Sequence, residues 1–181
     1  MAGEVITPYQ PSDLDAVVAL VNSAYRGEGA RAGWTHEADY LDGQRTSAAD
    51  LAAELSADPK PDVLVMRREA GGDILACVMI EMLDEPAGKV GYIGMLTVTP
   101  NLQAGGLGRR MLETAERHAR AAGATRARMS VVSIRDTLIV WYERRGYQLT
   151  GKTKPFPTDT RFGEPRRDDL EFAILEKALT G

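Results

Sequence analysis

The sequence predicts one α/β (α+β) domain over residues 1–181, built on a mixed, mostly antiparallel sheet with helices on both faces. Three observations predict it. The chain has 181 residues, 44% of them hydrophobic, which suits one domain that buries roughly 70% of its unfolded surface. Three apolar segments in the middle alternate like strands and are joined by turns too short for a crossover. The second half then alternates strands and helices, as β-α-β units do.

The predicted elements follow the order βααβββαβαββ. Ser12 and Ser47 each precede a helical apolar repeat and can cap the first two helices. Turns at 71–72 and 85–88 separate three strands, which favours an antiparallel meander. A third helix starts at Gly106 and carries its apolar residues on one stripe. The predicted strands are 5–7, 63–66, 74–82, 90–98, 126–132, 147–150 and 170–175, and the helices are 12–25, 47 to the Asp58-Pro59 break, 106–122 and 136–145.

Composition and charge exclude several classes of function. A net charge of −4 and an isoelectric point of about 5.3 argue against a nucleic-acid binder, whose affinity comes mainly from phosphate contacts. The longest apolar run, 74–80, is far shorter than the roughly 20 residues of a membrane helix, and no signal peptide is visible. The single cysteine, Cys77, and the two histidines, His36 and His118, show no metal-ligand spacing. We therefore expect a cytoplasmic protein without a nucleic-acid, membrane or metal partner.

A glycine-rich loop between the strand ending at Val98 and the third helix is the sharpest local signal. Its glycines, Gly105, Gly106 and Gly108, let the backbone approach a ligand closely. Amides that open a helix are free donors at the positive end of its dipole, so they can bind phosphate oxygens. The loop lacks the patterns of a Walker loop and of a dinucleotide fingerprint. The alternative is a helix start whose glycines only turn the chain.

Three motifs in this order resemble the GNAT superfamily of N-acetyltransferases. Residues 103–108, Gln-Ala-Gly-Gly-Leu-Gly, match that family's Q/R-x-x-G-x-G/A pyrophosphate loop. The segment 93–100 resembles its fourth strand, and 141–147, Trp-Tyr-Glu-Arg-Arg-Gly-Tyr, resembles its Y-x-x-x-G-F/Y motif. The Gly-Trp-Thr-x-Glu stretch at 33–37 is similar to that of an uncharacterised subset of the family. The resemblance spans nearly the whole chain.

The resemblance implies a splayed, GNAT-like acyl-CoA N-acyltransferase fold that grips acetyl-CoA as cosubstrate. The backbone of Leu96, Thr97 and Val98 would pair with the pantetheine arm. Tyr142 would lie near the thioester sulfur, where a phenol of pKa about 10 stays protonated and can donate to a thiolate of pKa about 8.5. The alternative for Tyr142 is a core aromatic residue. The pyrophosphate would be held by Gln103, Ala104, Gly105, Gly106, Leu107, Gly108 and Arg109.

The sequence departs from the family's pattern in two places. Many members carry a carboxylate on the fourth strand as general base, but Tyr92 and Gly94 occupy those positions here. Glu81, on the neighbouring strand, and Glu37, in the loop after the first helix, are the candidates for that catalytic role, acting through water. The second departure is Arg135, where many members have an asparagine against the pantetheine. Arg135 could instead reach a phosphate of the cofactor or a carboxylate of the substrate.

The segment from residue 25 to residue 45 is where the family places its acceptor pocket. It combines aromatic, hydroxyl and charged side chains, which suit recognition of a small molecule, although a solvated loop with one aromatic anchor would also account for them. Its acidic residues suit a polyamine-like cation, and its arginines suit an amino acid-like acceptor. The candidate substrate-binding residues are Tyr25, Arg26, Trp34, Thr35 and Arg45.

These observations predict an enzyme that moves an acetyl group from acetyl-CoA to the primary amine of a small molecule by direct attack. Most of the rate enhancement would come from holding the two reactants together. The alternative is a non-catalytic module that binds acyl-CoA and senses it; the missing strand carboxylate favours that alternative and Tyr142 argues against it. A homodimer is an expectation from the family alone.

Overall fold

A seven-stranded sheet forms the centre of the computed structural model, which describes residues 3–157 and 163–180. The strands are β1 (Val5–Pro8), β2 (Leu41–Asp42), β3 (Asp62–Arg67), β4 (Ile74–Leu83), β5 (Val90–Val98), β6 (Arg126–Val132), β7 (Gln148–Pro155), β8 (Glu164–Pro165) and β9 (Glu171–Ala178). The sheet order is β1-β3-β4-β5-β6-β9-β7, with β2 and β8 paired separately. Every neighbouring pair is antiparallel except β5 and β6, which are parallel. The predicted mixed, mostly antiparallel sheet is confirmed.

Helices cover both faces of this sheet, as the sequence predicts. They are α1 (Leu14–Tyr25), α2 (Gly27–Ala30), α3 (Ala48–Leu55), α4 (Leu107–Ala121) and α5 (Asp136–Glu143). Val17 of α1 and Leu51 of α3 pack with Cys77 on one face, and Met111 of α4 packs with Val78 on the other. Adjacent strand residues face opposite ways, so β4 contributes to both cores. None of the described helices is long and apolar enough to cross a membrane.

The boundaries differ from the sequence-based expectations mainly at the carboxyl end. β7 continues to Pro155, five residues beyond its predicted stretch, because it pairs with β9 out to that residue. The helix α2 and the pair β2–β8 were not predicted. The β2–β8 pair has two residues on each side and joins segments far apart in sequence, so no local pattern encodes it. The expected irregular crossing from 155 to 165 includes residues 158–162, which lie outside the described residues.

The parallel strands β5 and β6 separate along their length. In the described part of the chain they pair only at Val90, Gly91 and Tyr92 of β5. Farther along, Met95 takes a φ of 52°, and the register with β4 shifts between Cys77 and Met79. A non-glycine residue with positive φ opposite a register shift marks a β-bulge, which bends its strand. The carboxyl half of β5 therefore turns away from β6 and leaves a gap in the sheet.

An ion-pair cluster holds the closed end of this gap. The guanidinium of Arg128 on β6 lies 2.6 Å from Glu85 and 2.8 Å from Glu176 of β9, and Arg126 lies 3.0 Å and 3.1 Å from the same two carboxylates. Hydrogen bonds from Arg128, with a further contribution from Arg126, lower the pKa of Glu85 to about 2. The cluster thus ties the turn after β4 to β6 and β9 next to the three paired positions.

A close contact between β5 and α4 sets how near the helix lies to the sheet. Gly91 is buried, and a Cβ built on it would lie 2.5 Å from the Cβ of Ala119. No change of rotamer could separate the two Cβ atoms, because each is bonded directly to a backbone Cα. Gly91 is therefore required by the close approach of α4.

We predict that Gly91→Ala destabilises the protein by about 1–3 kcal/mol, the usual cost of overpacking a core. Ala119→Gly removes the methyl group that would clash. The free energy of unfolding of the double variant should therefore exceed the value expected from adding the two single effects, by about 0.5–3 kcal/mol. The free energy of unfolding in urea measures both effects. Gly94→Ala is the matched control on the same strand, because a Cβ there meets nothing within 4 Å. Equal stability of Gly91→Ala and Gly94→Ala would contradict the contact.

Candidate active site

The gap between β5 and β6 opens into three connected spaces. A slot of about 60 Å³ lies along the end of β5 and is lined by Leu96, Thr97 and Val98. A groove of about 600 Å³ follows the glycine-rich loop and shares Trp34 and Trp141 with the slot. A cavity of about 310 Å³ lies toward β6 and β9. The slot and the cavity have these lining residues in common: Tyr25, Leu96, Arg135, Leu138 and Tyr142.

The glycine-rich loop turns from β5 into α4. A short 3₁₀ helix over Pro100–Gly105 leads to Gly106, whose φ of 83° reverses the chain just before Leu107 begins α4. No side chain caps this helix, so the amides of its first turn are donors without an intrahelical acceptor. Leu107 is buried in the core and Arg109 lies near Glu113, at 3.5 Å. Of these two, only Arg109 has its side chain at the surface, where it lines the groove.

Gln103 connects the loop to the segment that precedes β2. Its side-chain amide nitrogen donates to the carbonyl of Val98 at 3.3 Å, and its amide oxygen accepts from the backbone N–H of Thr35 at 3.3 Å. A Cβ on Gly33 would collide with this side chain, so the glycine permits the contact. The predicted cofactor residue Gln103 and the predicted acceptor residue Thr35 are thus in direct contact.

Two tryptophans lie between the groove and the slot. The rings of Trp34 and Trp141 are 6.2 Å apart between centroids, and the guanidinium of Arg145 lies 3.6 Å from the Trp141 centroid. Trp34 is 42% exposed, an unusual state for so large an apolar side chain. The predicted acceptor residue Trp34 therefore lines the slot and the groove, and it is not among the residues around the cavity.

Tyr142 lies at the junction of the slot and the cavity. The residue is buried, with its ring edge-on to Trp141 at 5.0 Å and to Tyr147 at 5.8 Å. Burial raises the pKa of the Tyr142 phenol well above its usual value, with the nearby Tyr25 phenol as a second cause. The phenol therefore stays protonated at any ordinary pH, which is the state a proton donor needs. Tyr142 belongs to the hydrophobic core and also reaches both spaces.

The Tyr25 hydroxyl contacts β5, and the residue also lines the slot and the cavity. Its hydroxyl donates to the carbonyl of Leu96 at 2.8 Å, a backbone group next to the bulge. The guanidinium carbons of Arg45 and Arg135 each lie 5.8 Å from the centroid of its ring. Tyr25 therefore supports the bent backbone of β5 and also places two cations beside the cavity.

A buried ion-pair network runs beneath the cavity. The two nitrogens Nε and Nη2 of Arg26 donate to Oε2 of Glu37 at 3.1 and 2.8 Å. Nη1 of Arg135 donates to Oε1 of the same carboxylate at 3.2 Å, and Nη2 of Arg135 donates to Thr35. Both oxygens of Glu37 are therefore engaged by guanidinium groups, which does not favour the predicted role of Glu37 as a base. Arg135 lines the slot and the cavity but not the groove, which favours contact with the substrate over contact with the cofactor phosphates.

Glu81 lies in a neighbouring space. It is exposed on β4, directly across from Tyr92 of β5. It lines a smaller pocket of about 140 Å³ beside the cavity, with which that pocket shares Arg45 and Gly94. The slot and the cavity do not include it. The pairing of β4 with β5 places Glu81 opposite Tyr92. Glu81 does not line either of the spaces that Tyr142 lines.

The far wall of the cavity contains Ser130, Lys154 and Phe172, which the sequence did not single out, beside Tyr92 and Phe156. Tyr92 is hydrogen-bonded through its hydroxyl to Ser130 of β6, and the amine of Lys154 lies 5.3 Å from the centroid of the Tyr92 ring. Phe156 and Phe172 stack with centroids 5.3 Å apart. The alternation of β6 could have indicated that Ser130 faces the gap, whereas Lys154 lies in a stretch of β7 beyond the predicted strand.

Comparison with known proteins agrees with this geometry. The sequence model described as the acetyltransferase (GNAT) family matches residues 28–147. An IAA acetyltransferase of Azospirillum brasilense is 27% identical over 145 residues, covering 80% of this chain and 85% of that protein. An N-acetyltransferase from Staphylococcus aureus Mu50 has a TM-score of 0.71 at 16% identity, covering 98% of this chain and 99% of its own. The ribosomal-protein-S18-alanine N-acetyltransferase from Escherichia coli has a TM-score of 0.68 at 15% identity, covering 98% of this chain and 95% of its own. The chain belongs to the GNAT family of acetyltransferases and is an acetyl-CoA-dependent N-acetyltransferase.

Proposed function

We propose that the acceptor of the acetyl group is the primary amine of a small molecule, which attacks the thioester directly. The observation that carries this proposal is the position of Tyr142, where a narrow slot meets a larger cavity. The cavity of about 310 Å³ has the size of a small-molecule site. Its lining combines apolar side chains with a limited number of polar and charged groups, which is also typical of such sites.

The residues along β5 and the loop fit acetyl-CoA. Beyond Tyr92, β5 has no partner strand on its β6 side among the described residues, so the backbone of Leu96 to Val98 can pair with an extended amide-bearing chain. The first-turn amides of α4 and the side chain of Arg109 face the groove, where they would hold a pyrophosphate. Acetyl-CoA supplies the activated acetyl group, and these residues align it with Tyr142.

Tyr142 would supply the proton that the departing thiolate needs. Its raised pKa keeps the phenol protonated, and an O–H donor at the junction can reach a sulfur placed in the slot. The amine must lose a proton, since an alkylammonium has no lone pair with which to attack. β5 carries no acidic residue, so we assign the deprotonation to solvent water. The basic side chains around the cavity assist it, because nearby positive charge disfavours the protonated amine.

The alternative predicted from the sequence, a non-catalytic acyl-CoA sensor, conflicts with the membership in an acetyltransferase family. Release of free CoA thiol from acetyl-CoA, measured with a panel of primary amines, tests the small-molecule acceptor. Thiol release that depends on an amine supports this acceptor class, whereas binding of acetyl-CoA without turnover of any amine would contradict it. The single domain over 1–181, the homodimer and the cytoplasmic location stay predictions.

We predict that Gly108→Glu prevents acetyl-CoA binding. A Cβ at position 108 makes ordinary contacts of 3.6 Å with Trp141 and Val98, so the backbone tolerates a side chain there. A carboxylate would then oppose the pyrophosphate at the start of α4. Calorimetric titration with acetyl-CoA measures the effect. Gly108→Ala adds only the tolerated methyl group and should bind like the wild type. Wild-type affinity in Gly108→Glu would remove the loop from the binding site.

We predict that Tyr142→Phe lowers kcat by about 10²-fold, the low end of the range for loss of a general acid, because a thiolate leaves readily. The ring remains, so acetyl-CoA affinity should persist. Because burial raises the pKa of Tyr142, the wild type should show no fall in rate from this phenol up to a pH of about 10.

The matched control is Tyr147→Phe. Tyr147 is buried against Tyr142, but its hydroxyl donates to Glu116 at 2.9 Å, away from the cavity. The control should lose stability of about 1 kcal/mol with its hydrogen bond and keep its kcat. If Tyr142→Phe turns over as fast as Tyr147→Phe, then Tyr142 only packs the core.

A further inference from the structure

The walls of the acceptor cavity are strongly basic. Among the described residues around it, the basic side chains are those of Arg26, Arg45, Arg135 and Lys154, and the single carboxylate is that of Glu37. Glu37 is shared between two of those cations, at 2.8 Å from Arg26 and 3.2 Å from Arg135. One carboxylate cannot balance this wall, so the described lining carries a net positive charge.

Two of these cations, Arg45 and Lys154, line the cavity together with Tyr92. The amine of Lys154 lies 5.3 Å from the centroid of the Tyr92 ring. Arg45 and Tyr92 together line the cavity and the smaller pocket beside it. Neither Arg45 nor Lys154 lines the slot that leads to the cofactor loop. Both side chains thus line the acceptor's space and not the slot beside the cofactor loop.

The reacting end of the acceptor must lie elsewhere. Tyr142 and Leu96 mark the junction where the thioester would be attacked. Tyr92 precedes Leu96 by four residues on the same strand, which corresponds to about 13 Å of fully extended chain. The bulge, together with the length of the cationic side chains, makes the distance from the cationic groups to the junction shorter than this. An amine at the junction and an anionic group near Tyr92 can therefore belong to one small molecule.

The remaining walls are apolar. Met95, Met129 and Leu138 line the cavity, and so do the stacked rings of Phe156 and Phe172. An acceptor with an apolar body would bury its carbon atoms against them. A second cation in this space would be repelled by the basic side chains and would lose its hydration.

We propose that the acceptor is a primary amine that carries a carboxylate, and that Arg45 and Lys154 bind this carboxylate at the Tyr92 end of the cavity. The proposal rests on the proposed small-molecule function and makes it narrower. It selects amino acid-like acceptors and rejects polyamines. Arg45 and Lys154 are specificity-determining residues, since they meet the substrate away from the reacting atoms.

The first experiment measures kcat/KM with matched acceptors. Methionine, β-alanine, 4-aminobutyrate and 6-aminohexanoate are each compared with their carboxamides, and cadaverine serves as the diamine. We expect each active acid to exceed its amide by about 10–100-fold, the range for loss of one charge-assisted contact. The best spacer length among the acids reports the distance between the carboxylate site and the thioester.

The second experiment tests the two residues. Lys154→Gln and Arg45→Gln should each raise the KM for the best acid by about 10-fold, leave the KM for acetyl-CoA unchanged, and reduce the ratio of acid to amide. The matched control is Lys152→Gln, which removes the same charge from an exposed position on the same strand that does not line the cavity. The control should keep the wild-type ratio.

The outcomes separate this inference from the function on which it rests. Amides or cadaverine used as well as the acids, or an unchanged ratio in both cavity variants, would overturn the carboxylate site and leave the transferase intact. Bound acetyl-CoA without turnover of any acceptor would overturn both. A preference for acids that falls in Lys154→Gln and Arg45→Gln, and persists in Lys152→Gln, establishes the site.

Discussion

The divergence of two neighbouring parallel strands is the constraint on which the whole site depends. β5 and β6 pair at three positions and then separate, so the backbone groups of β5 beyond Tyr92 must find other partners. The bulge at Met95 bends the strand. The Tyr25 hydroxyl donates to the Leu96 carbonyl and so gives one of these backbone groups a partner. The carboxyl end of β5 leads straight into the glycine-rich loop. Slot, cavity and groove are therefore consequences of one separation.

The segment before β2 links the two halves of the site. Thr35 contacts the glycine-rich loop through Gln103 and the buried network through Arg135. Glu37 lies two residues later and holds Arg26 and Arg135 together. Removing one partner of a buried ion pair costs about 3–5 kcal/mol, because an uncompensated charge remains. The network thus contributes to stability, and through Thr35 it holds the segment before β2 against the glycine-rich loop.

The sequence predicts the elements better than it predicts the site. The helical stripe of α4 and the alternation of β4 depend on neighbours in sequence, so they were found with small errors at their ends. The glycine-rich loop and Tyr142 could also be located, because their motifs are local. The partners of Glu37 could not, since they lie 11 and 98 residues away. Lys154 was missed for the same reason, because only the pairing of β7 with β9 brings it to the cavity.

The acid-free β5 strand and the basic cavity can be understood as one arrangement. A carboxylate on that strand would pull a proton from the acceptor, but it would also repel an acceptor that carries its own carboxylate. A basic wall attracts such an acceptor and, at the same time, favours its neutral amine over its ammonium form. The substrate's carboxylate would be neutralised near Tyr92, while Arg135 lies by the junction where the amine must react. Charge on the walls would then serve both recognition and deprotonation, so a dedicated base on β5 would be unnecessary.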